Sequence, residues 1–477
     1  MAGGRILIPL PNTRYAFRRK NSVCARFAVG IFVICFGLSQ LYVLNQTEKN
    51  TNTVVELNYS AAAILSMVPS MYHKYLTTKT RNQTSAINGT SSSSYVDSYR
   101  RPGIEQMRRF IRRYNELQSI LNEDIFGPLE NDSVLIVVQV HTRINYLRHL
   151  IVSLAQARDI SRSLIIFSHD YYDEDINDLI QSIDFCKVMQ IFYPHSIQTH
   201  PHEFPGVEPD DCPRDIKRDQ AIIRKCTNAN YPDLYGHYRE ASFTQTKHHW
   251  WWKANRVFDQ IAATQHHTGA VLFLEEDHYV SEDFIYLLEL MQRKANELCG
   301  KCNILSLGTY LKTLNYYTYN NNHKVEITPW VSSKHNMGFS FNRSTWREIV
   351  QCAKYFCTYD DYNWDWSLQH ASQNCLKHKL HAMVVKGPRV FHIGECGVHH
   401  RKRNCESNQV ISKVQQVLKI ATRSGQLFPK SLTLTVASIL KKTKSRKGNG
   451  GWGDRRDHTL CLNMTISTGL IKSKQNL

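Results

Sequence analysis

Short apolar runs of β-type residues alternate along this chain with stretches in which apolar positions recur at helical spacing. A strand, then a helix, then a further strand favours a parallel sheet with right-handed crossovers. Runs that are apolar throughout are typical of strands buried on both faces. The predicted strands include Val134–Val140, Leu164–Ser168, Val188–Tyr193 and Ile304–Gly308, and the helices between them include Tyr146–Ala157 and Asp173–Ile183. The pattern therefore predicts an α/β fold.

One further predicted strand runs directly into charged residues. Val271–Leu274 is apolar, and the next five residues, Glu275–Tyr279, are three acids, a histidine and a tyrosine. In open α/β sheets ligands bind at the carboxyl ends of the strands, so this stretch predicts a functional site. A buried strand that leads into a solvated acidic turn is the alternative interpretation of the same residues.

A longer apolar stretch, residues 27–44, lies near the N-terminus and is at the short end of the length that spans a bilayer. Basic residues precede it and none follows before Lys49, so the positive-inside rule places the N-terminus in the cytosol. The sequence therefore predicts a cytoplasmic tail (1–26), a transmembrane signal anchor (27–44), a flexible polar stem (45–103) and a luminal body (104–477). A cleaved signal peptide is the alternative, but the long basic head and the lack of a small-residue cleavage site count against it.

An amphipathic helix is predicted at the start of the body. Its apolar residues recur at helical spacing with basic residues between them. They are Met107, Phe110, Ile111, Tyr114, Leu117, Ile120 and Leu121. Such a helix most simply packs on the body, and a contact with a second chain, which would make a homodimer, is the alternative.

Composition narrows the classes of function. The chain has 477 residues, a formal charge of +18 and a sequence pI near 9.3, which predicts attraction to polyanions. In a luminal protein the basic run Lys441–Lys447 is more simply a solvated face, so we expect no nucleic-acid partner. The sequence has neither a Gly-x-Gly-x-x-Gly fingerprint after its first strand nor a phosphate loop, which disfavours dinucleotide oxidoreductases and phosphate-loop ATPases.

Sequons and cysteines agree with a luminal body. Seven Asn-x-Ser/Thr sequons all lie beyond the predicted anchor. Eleven of the 13 cysteines also lie there, in an oxidising compartment, and an odd number leaves at least one without a partner in the chain. Cys186 lies among apolar residues and is the candidate free thiol. Cys299 and Cys302 have no second pair of this kind, which favours a local disulfide over a redox or zinc motif.

Three residues far apart in the sequence suit one chemistry. Mg²⁺ and Mn²⁺ bind carboxylate oxygens, and Mn²⁺ also accepts an imidazole, so Asp277 and His392 are candidate ligands. Asp365 lies between Trp364 and Trp366, and a carboxylate between aromatic rings suits a sugar, whose apolar face stacks on a ring. The alternative interpretations are core packing for the two tryptophans and a structural role for His392.

The same residues resemble a known family, that of N-acetylglucosaminyltransferase II. The resemblance extends from about Val134 to Cys461, with the N-terminal segments differing in detail. Its most specific stretches are Gln139–His141, Phe167–Asp170, Cys212–Asp215, Gly236–Ala241, Gln245–Lys253, Phe273–Tyr279, Cys357–Trp366 and Gly450–Asp454. The chain departs from the family in the loop after Tyr310, where the family has an Arg near Leu314, and Lys312 is expected in its place.

The resemblance implies a GT-A glycosyltransferase fold, a Rossmann-like and mostly parallel sheet whose second half binds the acceptor. It implies a Golgi enzyme with UDP-GlcNAc as donor, Mn²⁺ as cofactor and the α1,6-arm mannose of N-glycans as acceptor, joined in an inverted β-1,2 linkage. Open alternatives are a related Golgi transferase with another acceptor and a luminal glycan-binding protein without turnover. A two-carboxylate glycosidase, which would need neither metal nor UDP, is a further one.

Roles for single residues also follow from the resemblance. It implies that Asp365 is the catalytic base and that Asp277 and His392 bind the metal, with Glu275 and Glu276 supporting the site by hydrogen bonds. The donor is expected on Gln139, Val140, His141, Thr142, Arg143 and Asp170, and the cleft beside it on Gln245, Thr246, Lys247, His248 and His249. The implied disulfides are Cys212–Cys226, Cys299–Cys302, Cys352–Cys375, Cys357–Cys461 and Cys396–Cys405, with Cys186 free.

Overall fold

The computed structural model of the protein describes residues 64–77, 102–310, 322–394, 407–435 and 447–466, all of which belong to one compact unit, Ile64–Leu477. The predicted tail, the anchor, most of the stem, the residues Lys312 and Leu314, and all but the last residue of the basic run Lys441–Lys447 lie outside these ranges. Within them, no helix has both the length and the apolar character needed to cross a membrane.

One mixed sheet of nine strands organises the body. In chain order the strands are β1 (Leu135–Val140), β2 (Leu164–His169), β3 (Lys187–Phe192), β4 (Val271–Glu275), β5 (His278–Val280), β6 (Ile304–Ser306), β7 (Lys324–Pro329), β8 (Phe339–Phe341), β9 (His381–Val385), β10 (Val390–His392) and β11 (Thr433–Thr435). The sheet has the order β11-β7-β9-β6-β8-β4-β1-β2-β3, and β5 and β10 form a separate antiparallel pair. Five of the eight pairings in the large sheet are parallel, which confirms the predicted α/β class with a mostly parallel sheet.

Fourteen α-helices lie within the described residues. They are α1 (His73–Leu76), α2 (Ile104–Leu117), α3 (Glu123–Phe126), α4 (Ile144–Ala155), α5 (Glu174–Gln181), α6 (Arg218–Arg224), α7 (Ala241–Asp259), α8 (Phe284–Leu298), α9 (Ser332–His335), α10 (Arg343–Gln351), α11 (Ala353–Thr358), α12 (Trp364–Asn374), α13 (Ser407–Arg423) and α14 (Arg455–Ile466).

The apolar residues of β1 alternate between two cores. Ile136 and Val138 pack in one core with Leu147 and Leu150 of α4, whereas Val137 packs in the other with the tryptophans of α7. Successive side chains of a strand point to opposite faces of its sheet, so a strand that is covered on both faces must be apolar at every position. The unbroken apolar run in the sequence has this cause.

Stacked aromatic rings join α7 to α12. Trp250 and Trp251 are fully buried, and the ring of Trp250 stacks on that of Trp364 with centroids 4.5 Å apart and planes 2° from parallel. Trp251 stacks on Phe356 at 4.3 Å. Because Trp364 is the first residue of α12, this contact sets the position of the helix that carries Asp365.

Four of the disulfides expected from the family resemblance are present. They are Cys212–Cys226, Cys299–Cys302, Cys352–Cys375 and Cys357–Cys461. Cys186 is a buried free thiol, as predicted. Cys396–Cys405 lies outside the described residues.

The predicted stem is not uniform, because residues 64–77 pack on the body. Tyr75 is fully buried, and its hydroxyl donates a hydrogen bond of 2.6 Å to Asp184. Val68 is buried in the same core as β1. The packed part of the chain therefore begins before the predicted boundary at residue 104.

The amphipathic helix α2 packs on the edge strand β3 of its own chain. The Asn115 side chain donates to the carbonyl of Phe192 at 2.7 Å and accepts from its N–H at 2.9 Å. These two bonds satisfy backbone groups that an edge strand otherwise leaves unpaired. The simpler of the two predicted roles for this helix is therefore the observed one.

Candidate active site

The three acids Glu275–Asp277, called the acid run below, lie where the parallel strands β1, β2 and β4 end. Gln139 of β1 is in register with Glu275 of β4 on one side and with Ser168 of β2 on the other. The residues that follow these strands, among them His141, Asp170 and Asp277, therefore meet at one edge of the sheet. This is the edge at which open α/β sheets bind ligands.

Arg143 connects the end of β1 to the acid run. Its Nε donates to Glu276 at 2.8 Å and its Nη1 donates to Asp277 at 2.9 Å. The other Glu276 oxygen accepts the backbone N–H of His141 at 2.8 Å. Glu276 is buried, and its charge is compensated by Arg143 and by these hydrogen bonds. It thus contacts its neighbours through hydrogen bonds, as expected for a supporting residue.

The side chain of Asp170 contacts three of the predicted donor-site residues. It accepts hydrogen bonds from His141 Nδ1 at 2.7 Å and Gln245 Nε2 at 3.1 Å, and His249 Nδ1 lies 3.5 Å away. Burial by itself would raise the pKa of Asp170, but the hydrogen bond from His141 and the closeness of His249 hold that pKa far below its usual range. The bond to Asp170 in turn raises the pKa of His141, whose side chain is 53% exposed. An exposed imidazole held in place by a carboxylate suits the phosphate or base of a nucleotide.

Lys247 and His248 do not join this network, although they are neighbours of Gln245 in sequence. Both are buried. Lys247 donates to the backbone carbonyls of Tyr359 and Asp361, each at 3.0 Å, and His248 bonds to Asp457 of α14 at 2.9 Å. These contacts hold α7 to other elements of the body, which corrects the expectation that both side chains line the cleft.

The remaining predicted donor residues, Gln139, Val140, Thr142 and Thr246, form no hydrogen bond to Asp170 with their side chains. Val140 belongs to the core, and its carbonyl accepts the N–H of Asp170 at 3.3 Å. Thr142 is exposed beside His141, and Thr246 is half-buried on α7. Gln139 accepts a hydrogen bond of 2.5 Å from the buried Lys253.

A group of metal-ligating side chains surrounds Asp277. One ligand atom from each of Glu275, Asp277 and His278 lies within 4.8 Å of the others. His392 Nε2 is 3.1 Å from Asp277 Oδ2, and the register of the small sheet sets His392 opposite His278. The structure thus brings the two predicted ligands together and adds two neighbours. Burial lowers the pKa of His278 to about 3, so this ring is neutral, and its Nδ1 accepts the backbone N–H of Glu275 at 3.1 Å.

The arrangement around Asp277 fits a divalent cation. Asp277 Oδ1 is buried and has no hydrogen-bond partner among the described residues, so it is open to a ligand. A Cβ on Gly394 would lie 2.2 Å from Asp277 Oδ2, so only glycine leaves this carboxylate its space. Carboxylate oxygens with imidazole nitrogens form a donor set that Mn²⁺ accepts.

Asp365 lies in the first turn of α12 and is half-buried. Oδ1 accepts the backbone N–H of Trp366 at 2.9 Å, and Oδ2 accepts Asn336 Nδ2 at 3.1 Å. Burial raises the pKa of Asp365 to about 7. A carboxyl group with a pKa near the working pH suits general-base chemistry. Trp364 is buried in the core, as its alternative interpretation predicted, so only the half-buried Trp366 can meet a sugar.

Tyr310 connects Asp365 to the metal-ligating group. Burial raises the pKa of Tyr310, and the charges of Glu275, Asp365 and Asp277 raise it further, so all three carboxylates act on one phenol. A hydrogen bond from the Asn336 side chain acts in the opposite direction. The ring of Tyr310 is also 6.2 Å from that of His392. The candidate base and the candidate ligands therefore face a common space.

Comparison with known proteins identifies the family. The family model for N-acetylglucosaminyltransferase II (MGAT2) matches residues 108–461, most of the chain. The chain belongs to the N-acetylglucosaminyltransferase II family. The matched span of this family member includes every predicted site residue, from Gln139 to His392.

Relatives of this N-acetylglucosaminyltransferase II family member cover most of its length. It is 42% identical over 379 residues to the alpha-1,6-mannosyl-glycoprotein 2-beta-N-acetylglucosaminyltransferase of Rattus norvegicus, covering 79% of this chain and 85% of the rat protein. It is 40% identical to the Homo sapiens protein of that name, with coverage of 79% and 84%, and 34% identical to the one from Arabidopsis thaliana, with coverage of 72% and 76%.

Solved structures of other glycosyltransferases are only distantly similar to this family member. TarS from S. aureus aligns at 9% identity with a TM-score of 0.26, covering 61% of this chain and 73% of TarS. The glycosyltransferase GlyE from Streptococcus pneumoniae aligns at 9% identity with a TM-score of 0.29, covering 64% of this chain and 66% of GlyE. Scores this low add nothing to the assignment.

Proposed function

We propose that the protein transfers GlcNAc from UDP-GlcNAc to the α1,6-arm mannose of N-glycans, in β-1,2 linkage. Membership of the family and the shared name of the rat, human and Arabidopsis relatives support this activity. The observation that carries the proposal is the pairing of Asp365 with the Asp277 group. A carboxyl group whose pKa is about 7 faces the same space as an acidic, histidine-containing cation site.

The donor's nucleotide binds at the carboxyl ends of β1 and β2. The exposed His141, oriented by Asp170, and the amide of Gln139, oriented by Lys253, are the polar groups offered there. Arg143 is already paired with Glu276 and Asp277, so these two carboxylates compensate its charge. The sheet edge therefore offers fixed polar groups for the nucleotide and leaves the charge of the diphosphate to the cation.

Asp277 and His392 would hold Mn²⁺, and Glu275 and His278 lie beside them. When bound, the cation neutralises negative charge that grows on the departing diphosphate. The unpartnered Oδ1 of Asp277 supports this assignment. Asp277→Ala is expected to weaken the binding of UDP and of Mn²⁺ together.

Asp365 acts as the general base. UDP-GlcNAc is an α-glycoside and the product is β, so the mannose hydroxyl displaces UDP in one step with inversion. Asp365 accepts the hydroxyl proton as the new bond to the anomeric carbon forms and the bond to UDP breaks. General-base assistance of this kind is worth about 10²- to 10⁴-fold in rate.

The fold and the location extend this proposal. A parallel half-sheet that carries the donor site, followed by a helix, α12, that carries the base, agrees with a GT-A arrangement. The apolar residues 27–44, the basic residues before them and the sequons after them support a single-pass type II anchor in the Golgi membrane, with the body in the lumen.

Substitution Asp365→Asn tests the role of the base. We expect the full-length variant to lose transfer by at least about 10²-fold, because the amide cannot accept the proton. Its Mn²⁺-dependent binding of UDP, measured by calorimetry, should stay near that of the unchanged protein. Equal loss of UDP binding would make Asp365 a structural or metal-binding residue and would refute the proposed role.

A panel of defined N-glycans tests the acceptor. The full-length protein is incubated with UDP-GlcNAc, Mn²⁺ and glycans that differ in the arm left free. Transfer only to the α1,6-arm mannose supports the proposal, and transfer to another position identifies a related transferase. Binding of glycans without transfer to any of them would instead identify a glycan-binding protein.

A further inference from the structure

Asn336 lies between the candidate base and the interior of the protein. It caps the carboxyl end of α9, and its Nδ2 donates to Asp365 Oδ2 at 3.1 Å. The other oxygen of Asp365 is held by the Trp366 N–H of its own helix. Asn336 is thus the side chain that sets the rotation of the carboxylate from outside α12.

The amide of Asn336 can serve Asp365 in only one of its two orientations. With Nδ2 toward Asp365, a donor meets an acceptor, whereas the flipped amide would set a carbonyl oxygen against a carboxylate. Asp365, together with Tyr310, to which the Asn336 side chain also donates, therefore leaves the oxygen Oδ1 for a donor on the other side. The atom that faces that side, Oδ1, is buried and has no hydrogen-bond partner among the described residues.

Trp250 has the complementary feature. It is 1% exposed, and its Nε1–H, a donor, is also buried without a partner in the described part of the chain. Buried polar groups in proteins are almost always hydrogen-bonded, either to protein or to an ordered water. Near Asp365 there are therefore one buried donor that lacks an acceptor, Trp250 Nε1–H, and one buried acceptor that lacks a donor, Asn336 Oδ1.

Both residues line one small cavity. The cavity has a volume of ≈ 10 Å³ for the centre of a water molecule, which is about what one water needs. Its other polar lining residues are Lys253, Glu275 and His278. A buried water typically makes two to four hydrogen bonds, and this wall offers that number of partners.

We propose that Asn336 is the positioning residue of the base, and that one buried water in this cavity bridges Trp250 and Asn336 to orient its amide. The water accepts from Trp250 Nε1–H and donates to Asn336 Oδ1, and Lys253 and Glu275 complete its surroundings. Because Trp250 and Lys253 are both donors, their side of the cavity selects the amide oxygen and turns Nδ2 toward Asp365. The inference rests on the proposed role of Asp365.

The same water couples the two halves of the site. Lys253 donates to Gln139 at the donor end of the sheet, and Asn336 donates to Asp365 at the acceptor end. Hydrogen bonds then run from the donor pocket through the cavity to the base. Substitution of Trp250 or Asn336 should therefore lower the rate of transfer while the binding of donor and acceptor stays nearly the same.

Kinetics of Asn336→Ala in the full-length protein test the positioning role. We expect kcat to fall about 10- to 100-fold, while KM for the acceptor and the Mn²⁺-dependent affinity for UDP change less than about twofold. Asn374→Ala is the matched control, because Asn374 is an exposed asparagine at the far end of α12, and it should leave kcat unchanged. An unchanged kcat in Asn336→Ala, or a loss of UDP binding as large as the loss of kcat, overturns the proposal.

Crystallography and Trp250→Phe test the water itself. A high-resolution structure of the protein should contain a water within hydrogen-bond distance of Trp250 Nε1 and Asn336 Oδ1. Trp250→Phe keeps the ring stack with Trp364 but removes the donor, so the water should be lost and kcat should fall about 3- to 10-fold at an unchanged UDP affinity. A wild-type cavity without water overturns the proposal even if Trp250→Phe does not fold.

These results separate the inference from the function on which it rests. If Asp365→Asn retains transfer, the proposed base is wrong. If Asp365→Asn abolishes transfer but Asn336→Ala retains the full kcat, the base stands and only the positioning role falls.

Discussion

At the scale of single residues, burial decides what the chemical groups of this site can do. Asp365 and Glu276 are both carboxylic acids close to the sheet edge. Glu276 is paired with Arg143 and is held as a support, whereas Asp365 faces amide donors and no cation at hydrogen-bond distance among the described residues. Burial therefore raises the pKa of Asp365 to about 7 and makes it the candidate for taking a proton.

The raised pKa of Asp365 predicts the pH dependence of transfer. The base works only in its ionised form, which predominates above its pKa of about 7. We therefore expect kcat to rise as pH increases through 7 and to level off above it, with about a tenth of the maximum at pH 6. The measurement is kcat at saturating donor, acceptor and Mn²⁺ from pH 5 to 9. A rate that stays constant between pH 5 and 7 would contradict it.

The position of His278 predicts a part in cation binding. Its ring is buried beside Asp277 and opposite His392. We expect His278→Ala to weaken Mn²⁺ binding about 10- to 100-fold, as losses at metal sites commonly do. Titration of Mn²⁺ by electron paramagnetic resonance in the presence of UDP measures this directly. His266→Ala, a change at an exposed histidine, is the control, and an equal effect of both variants would argue against the assignment.

At the scale of elements, a C-terminal segment holds the helix that carries the candidate base Asp365. Asp361 is fully buried just before α12, and its Oδ2 accepts both the N–H and the side-chain amide of Asn449, at 2.9 and 2.8 Å. Trp452 donates its ring N–H to the carbonyl of Cys357 at 2.8 Å. The disulfide Cys357–Cys461 then ties α14 to α11. The chain end is thus part of the active-site support.

The length of the loop closed by each disulfide predicts its contribution to stability. Cys357–Cys461 spans 104 residues and Cys299–Cys302 spans 3. In the chain-entropy model the long loop is worth about 5 kcal/mol and the short one about 2 kcal/mol. We expect the double alanine variant of Cys357 and Cys461 to lose the larger amount in denaturant unfolding, and also to lose transfer activity. Equal losses for the two pairs would contradict this ranking.

At the scale of the whole molecule, the packed body reaches into the predicted stem. Tyr75 and Val68 bury their side chains in the core that also holds β1, with Tyr75 bonded to Asp184. Because residues 45–103 are mostly polar, their sequence does not indicate that residues 64–77 pack on the body. Residues 64–77 of the predicted stem are therefore an element of the body itself.

Truncation tests this boundary. A protein that begins at residue 64 keeps Val68 and Tyr75, whereas one that begins at residue 104 exposes the surface they cover. Burial of each large side chain is worth roughly 2 kcal/mol, so the shorter protein should unfold several degrees lower. Differential scanning calorimetry compares the two. Identical melting temperatures would show that residues 64–77 add nothing to the stability of the body.

Much of the first half of the fold could be predicted from sequence, because its strands are long. Each of β1, β2 and β3 has six residues and is apolar enough to leave a clear run. The later strand β8 has three residues, too few to show a period of two, and β6, which lies within the predicted strand Ile304–Gly308, is equally short. Their pairing in the middle of the sheet depends on contacts between residues far apart in the chain, which no local pattern records.

The sequence by itself determined the fold class, the acid run at a strand end, the parity of the cysteines and the residues that resemble the family, because these depend on local order or on identity alone. Only the tertiary structure decided which side chains meet. It separated Lys247 and His248 from the Asp170 group, since α7 is buried on nearly every side and periodicity cannot assign its faces. It moved Trp364 into the core, and it brought His278, Tyr310 and Asn336 beside residues distant in sequence.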